Sequence, residues 1–100
     1  MPKIHLICKD RNLIWASCHP EYKSGNWDLT ENEASTLVGG LILFHQSKKQ
    51  VSYFGGIITS YEVLYDDKKK IVFTLTSVHE AKNVTWEGNL HHRSRKSLIV

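Results

Sequence analysis

Leu29-Thr30-Glu31-Asn32-Glu33-Ala34-Ser35-Thr36-Leu37-Val38-Gly39-Gly40-Leu41-Ile42-Leu43-Phe44-His45 changes its hydrophobic period halfway, and that change decides the fold. The first half starts a helix. Thr30-Glu31-Asn32-Glu33 is a capping box: the Thr30 hydroxyl can accept from the amide of residue 33, and the Glu33 carboxylate can reach back to the amide of residue 30. Leu29 and Ala34 stand at the two staple positions, and Glu31 and Glu33 suit the positive end of the helix dipole. Ala34, Leu37 and Val38 make one apolar face. Gly39-Gly40 supplies the left-handed residue that ends helices. The pattern predicts a helix over residues 31–38, which packing on a sheet must hold because so short a helix melts alone. The second half, Leu41 to His45, is a continuous apolar run suited to a strand covered on both faces.

Beyond His45 the β pattern continues. Gln46 to Gln50 reads as a polar hairpin loop. Ser52 to Tyr65 is the longest β-like stretch, with Ile57, Thr59, Tyr61, Val63 and Tyr65 on one face and Ile58, Ser60, Glu62 and Leu64 on the other. Gly55-Gly56 interrupts it as a bulge or sharp bend would. Asp66 to Lys70 is a charged turn. Ile71, Phe73 and Leu75 then alternate with Val72, Thr74 and Thr76, and Val84-Thr85-Trp86 is a candidate last strand. Before the helix, Ile4 to Cys8 reads as a strand, Lys9 to Asn12 as a turn and Leu13 to Ala16 as a short apolar run. Ser17 to Asp28, with Pro20, Gly25 and Asn26, reads as a long loop bearing Tyr22 and Trp27, and long loops in small domains are often functional. Hairpins imply antiparallel pairing, and a bend at Gly55-Gly56 helps a small sheet curl. The expected class is mostly β (α+β): a small antiparallel pseudo-barrel or strongly bent sheet with one short α-helix, an open α+β sheet being the alternative.

A chain of 100 residues fits a single domain over 1–100. Its 41% apolar and 23% charged residues suit a globule and not a disordered chain. The formal charge of +3 is unevenly placed: Arg93, Arg95 and Lys96 lie in a basic C-terminal tail, 91–100, that holds no acid. Such a tail can meet nucleic acid or an acidic partner, or be a solvated terminus. Two cysteines, Cys8 and Cys18, are few for a small secreted domain. No signal peptide is visible after Met1-Pro2-Lys3, no stretch approaches a membrane span, and Asn83-Val84-Thr85 is read as a chance sequon. The expected location is cytoplasmic, with both thiols reduced.

Six histidines invite a metal reading, but His5, His19, His45 and His79 show no ligand spacing, and adjacent His91 and His92 point apart in a strand. No metal site is expected. Cys18-His19 does not read as a nucleophile and base, because such pairs assemble in space and not by adjacency. No phosphate loop or dinucleotide fingerprint calls for a cofactor. The aromatics say more. Trp15, Tyr22, Trp27, Tyr53, Phe54 and Trp86 flank glycines, loops or strand ends. They either fill the core or, at loop mouths of a small β-barrel, form a pocket for an unpaired base.

The order of elements resembles the PUA-like superfamily, especially its EVE-type and ASCH-type domains. The likeness runs over roughly residues 4–87: an early strand, a loop with Trp27, a capped helix from Thr30 to Val38, a glycine-led apolar strand from Gly39 to His45, and a glycine-bent strand through Tyr53-Phe54-Gly55-Gly56-Ile57-Ile58. The usual Gly-Asp after the helix is Gly39-Gly40 here. The G-x-K-x-x-E-x-R signature of ASCH domains is absent, so the RNA-cleaving activity of some members is not implied. The resemblance implies a pseudo-barrel that binds RNA or a modified base in a cleft near the helix, with Trp27 carried over by position. The first expectation is therefore a non-catalytic module for single-stranded RNA or DNA or a modified nucleobase, using Tyr22, Trp27, Tyr53, Arg93, Arg95 and Lys96. A small hydrolase acting on nucleic acid or nucleosides is the second, and a protein-interaction or oligomerising domain built on an edge strand the third.

Overall fold

The computed structural model describes residues 2–8, 14–18, 21–65, 69–87 and 96–99. In chain order the elements are β1 (Lys3–Ile7), β2 (Ile14–Cys18), β3 (Glu21–Trp27), α1 (Glu31–Leu37), β4 (Leu41–His45), β5 (Phe54–Tyr65), β6 (Lys69–Ser77), a single 3-10 turn (His79–Ala81) and β7 (Lys96–Ile99). The strands form one sheet in the order β2-β3-β6-β5-β4-β1-β7. Among the described residues its first and last strands each have one neighbour, so the sheet is open and not a closed barrel. The hairpins β2–β3, β4–β5 and β5–β6 are antiparallel, as the short connections require. β1 and β4 instead pair in parallel, Ile4 with Ile42 and Leu6 with Phe44, because the chain between them runs out through β2, β3 and α1 before returning. The sheet is therefore mixed, and mostly antiparallel.

The capping box forms as the spacing dictates. The Glu33 amide donates to Thr30 Oγ1 at 3.1 Å and the Thr30 amide to Glu33 Oε1 at 3.0 Å. Leu29, Ala34 and Leu37 are buried in the main core. Val38 was expected on that face, but it is the C-cap with extended backbone and stands 42% exposed. Gly39 supplies the left-handed stop, at φ 87°. The Gly39 amide then donates to Ile58 O, and the Ile58 amide to Gly40 O, each at 2.8 Å, so the end of the helix is tied to β5.

Three other expectations change. The long loop read over Ser17 to Asp28 is mostly strand. β3 pairs with β2 on one side and with β6 on the other, Tyr22 opposite Leu75 and Ser24 opposite Phe73. Gly25 and Asn26, which suggested a loop, sit where the β3–β6 register shifts between Ser24 and Trp27. They mark a bulge inside a strand. The bulge of β5 is not at Gly55-Gly56 but between Ile58 and Ser60. It inverts the side-chain parity, so Ile58 joins Tyr61 and Val63 on the core side and not Ser60 and Glu62. Residues 84–86 pair in no ladder among the described residues; Ser52 ties the segment from the side. Ser52 N donates to Val84 O at 2.8 Å, Asn83 N to Ser52 O at 2.7 Å, and Ser52 Oγ to Ala81 O at 2.6 Å.

The sheet is strongly bent. Tyr22 on β3 touches Phe54 on β5 at 5.0 Å between ring centroids, although β6 lies between those strands. Trp27 on β3 meets Phe44 on β4 at 6.3 Å, with two strands between them. Such contacts need the sheet to curl around one concave face. Ile4, Leu6, Ile42, Phe44, Ile58, Phe73 and Leu75 fill that face beneath α1. β1 and β4 are buried on their other face as well, where Trp86 lies over His5 and His45. The turn over Lys9 to Asn12 and most of the turn over Asp66 to Lys70 fall outside the described residues, as do His19, His91 and His92.

Candidate nucleic-acid interface

Curling the sheet brings Tyr22 and Tyr53 together, although they lie on opposite sides of the helix in sequence. With Ile14, Phe54 and Lys82 they line a cleft of about 330 Å³. Tyr22 comes from β3, Ile14 from the start of β2 and Phe54 from the start of β5. Lys82, exposed, follows the 3-10 turn. The size is within the usual range for a small-molecule site and large enough for one nucleobase.

Each wall is fixed by a different contact. Tyr53 Oη donates to Cys8 O at 2.6 Å, which holds its ring against the end of β1. Tyr22 meets Phe54 edge to face, with 77° between the rings, so the two make an angled wall and not a closed sandwich. Phe54 in turn is backed by buried Phe44, 6.2 Å away and nearly parallel at 15°. The aromatic lining is thus continuous with the core and cannot swing away freely.

The other expected site residues lie elsewhere. Trp27 is at the far end of the same series of rings, beyond Phe44. Its indole Nε1 donates to Ser24 Oγ at 3.0 Å, its ring packs on the core, and it does not line the cleft. Lys96 begins β7, and its Nζ donates to Asp28 O at 2.9 Å. It borders a second cleft, of about 460 Å³, with Asp28, Leu29, Thr30, Glu31, Glu33, Val63 and Ile71. Among its described lining residues three carboxylates stand with one ammonium, a poor seat for phosphate. Among the described residues the smaller cleft is lined by a lysine and by no carboxylate. Arg93 and Arg95 fall outside the described residues.

Phe54, Ile14 and Lys82 are lining residues that the expected site set lacks. Phe54 had a signal, since it precedes Gly55-Gly56 at a bend. Ile14 and Lys82 had none, because only the bent sheet brings the start of β2 and the turn after β6 to the same place. The groups whose proton affinity is displaced, His5, His45 and Glu87, do not line the cleft. Among the described residues no group of His, Cys, Asp and Glu is arranged to hold a metal, and no helix is long and apolar enough to cross a membrane. No protein-family model, no curated protein and no solved structure matches this chain.

Proposed function

We propose that this domain is a non-catalytic binding module that takes an unpaired base of single-stranded RNA or DNA into the cleft between Tyr22, Tyr53 and Phe54. The observation that carries the reading is the convergence of Tyr22 and Tyr53 on one small aromatic cleft with Lys82 at its edge. Aromatic faces stack on any base and contribute about 1–3 kcal/mol for each one stacked. A base must be unpaired to enter a cleft of this size, so the ligand is single-stranded or carries an extruded base. Lys82 can meet the neighbouring phosphate. Three aromatic rings line the described part of the cleft, which favours stacking and predicts tolerance of sequence.

The test is to map the contact. A short single-stranded oligonucleotide, with and without a modified base, is titrated into the isotopically labelled protein. Resonances of Tyr22, Tyr53, Phe54 and Lys82 should shift together. Shifts confined to the cleft bordered by Asp28 and Lys96, or none at low salt, would refute the assignment.

A further inference from the structure

The cleft between Tyr22, Tyr53 and Phe54 is bounded on one side by a sheet edge. Ile14, which lines it, opens β2, and β2 ends the sheet, paired among the described residues with β3 alone. Successive side chains on a strand point to opposite faces. Ile14 turns inward, opposite fully buried Ser24, and packs against the core. Trp15 therefore turns outward onto the convex face, where its cross-strand partner is Lys23. The cleft and the outer face meet at this one strand, and consecutive residues of it serve both.

Trp15 differs from the other two tryptophans. Trp27 packs on the core and Trp86 is 6% exposed, whereas Trp15 stands 41% exposed. Its indole gives water a flat aromatic surface of the kind on which bases stack. Lys23, beside it on the same face, is already matched: its Nζ lies 3.1 Å from Glu62 Oε1, in an ion pair that reaches across β6. What this spot adds for a passing nucleic-acid strand is therefore a stacking face and not a phosphate contact.

We propose that Trp15 is a second stacking position: the nucleotide next to the one in the cleft passes over the edge at β2 and lays its base on the Trp15 indole. This rests on the base-binding reading of the cleft. The two bases are splayed, one on each side of the edge, with the sugar–phosphate link at the edge itself. Only a single strand can do this, because a duplex keeps neighbouring bases stacked on each other. An edge strand suits the link. Its outward amides are not used by the ladder with β3 and can donate to phosphate or sugar oxygens.

Two probes that carry one phosphate each separate the positions: thymidine 5′-phosphate, with one base, and thymidylyl-thymidine, with two. Each is titrated into the isotopically labelled whole chain and followed by NMR. Thymidine 5′-phosphate should shift Tyr22 and Tyr53 and leave the Trp15 indole where it is. The dinucleotide should shift the Trp15 indole as well and bind about 5- to 150-fold more tightly, the gain from one further stacked base. Trp15→Ala should bind thymidine 5′-phosphate as the native chain does and lose that gain, and Trp15→Phe should keep part of it. Trp15 stands at the surface, so neither substitution empties the core. Three results would refute the second position and leave the cleft standing: no gain from the second base, a gain with the Trp15 indole unmoved, or Trp15→Ala weakening both probes equally. If neither probe shifts Tyr22 or Tyr53, the fault lies with the cleft reading, and this proposal falls with it.

Discussion

Thr30 and Gly55 show two ways in which a single residue commits this chain. Thr30 acts locally, through partners three residues away, and for that reason the capping box is fully legible in the sequence. Thr30→Ala removes the acceptor for the Glu33 amide, and a loss of about 1 kcal/mol is expected, read as a lowered urea midpoint with an unchanged slope. Gly55 acts at long range. A Cβ there would collide with the Ile42 carbonyl oxygen and lie 2.9 Å from Ala81 Cβ. A close approach between elements far apart in sequence cannot be read from the glycine pair, which looks like a bend. Gly55→Ala should cost about 1–3 kcal/mol as overpacking, whereas Gly39→Ala meets nothing in space and is opposed only by its positive φ.

At the scale of elements, what the sequence reveals depends on where an element's partners lie. α1, β4, β5 and β6 announce themselves by period, caps and turns. β3 does not, because Gly25 and Asn26 interrupt its alternation, and only ladders on both sides make it a strand. The β5 bulge at Ile58/Ser60 is equally hidden, since its position is set by the register of β6. The segment after the 3-10 turn is held through a side chain. Ser52 Oγ donates to Ala81 O and accepts from the Val84 amide at 3.0 Å, within a buried site. Ser52→Ala leaves both groups to find other partners. A loss of about 1–3 kcal/mol is expected, with the Asn83 and Val84 amides exchanging faster than those of the β5–β6 ladder. Ser52→Ala exchange indistinguishable from the native chain would show that this segment is held by something else.

For the molecule as a whole, curvature makes the site. A flat sheet with the same strand order would keep Tyr22 two strands away from Phe54 and would have no cleft. The bend was expected from the glycines, and the choice of aromatics on the strands was visible, but their convergence was not, because it requires contacts between strands that are not neighbours. This also explains why Trp27, the aromatic favoured by position, packs against the core away from the cleft while Phe54 lines it. The most direct measurement is titration of a short fluorescent single-stranded oligonucleotide at two salt concentrations, with the native chain, Tyr22→Ala and Lys82→Ala. Tyr22→Ala should weaken binding by about 1–3 kcal/mol and leave the salt dependence nearly intact, since stacking releases few ions. Lys82→Ala should lower the slope of log affinity against log salt by about 0.7, one phosphate contact on a single strand. Native-like binding by both variants, or no binding by the native chain at low salt to any oligonucleotide, including ones with modified bases, would contradict a base-binding cleft.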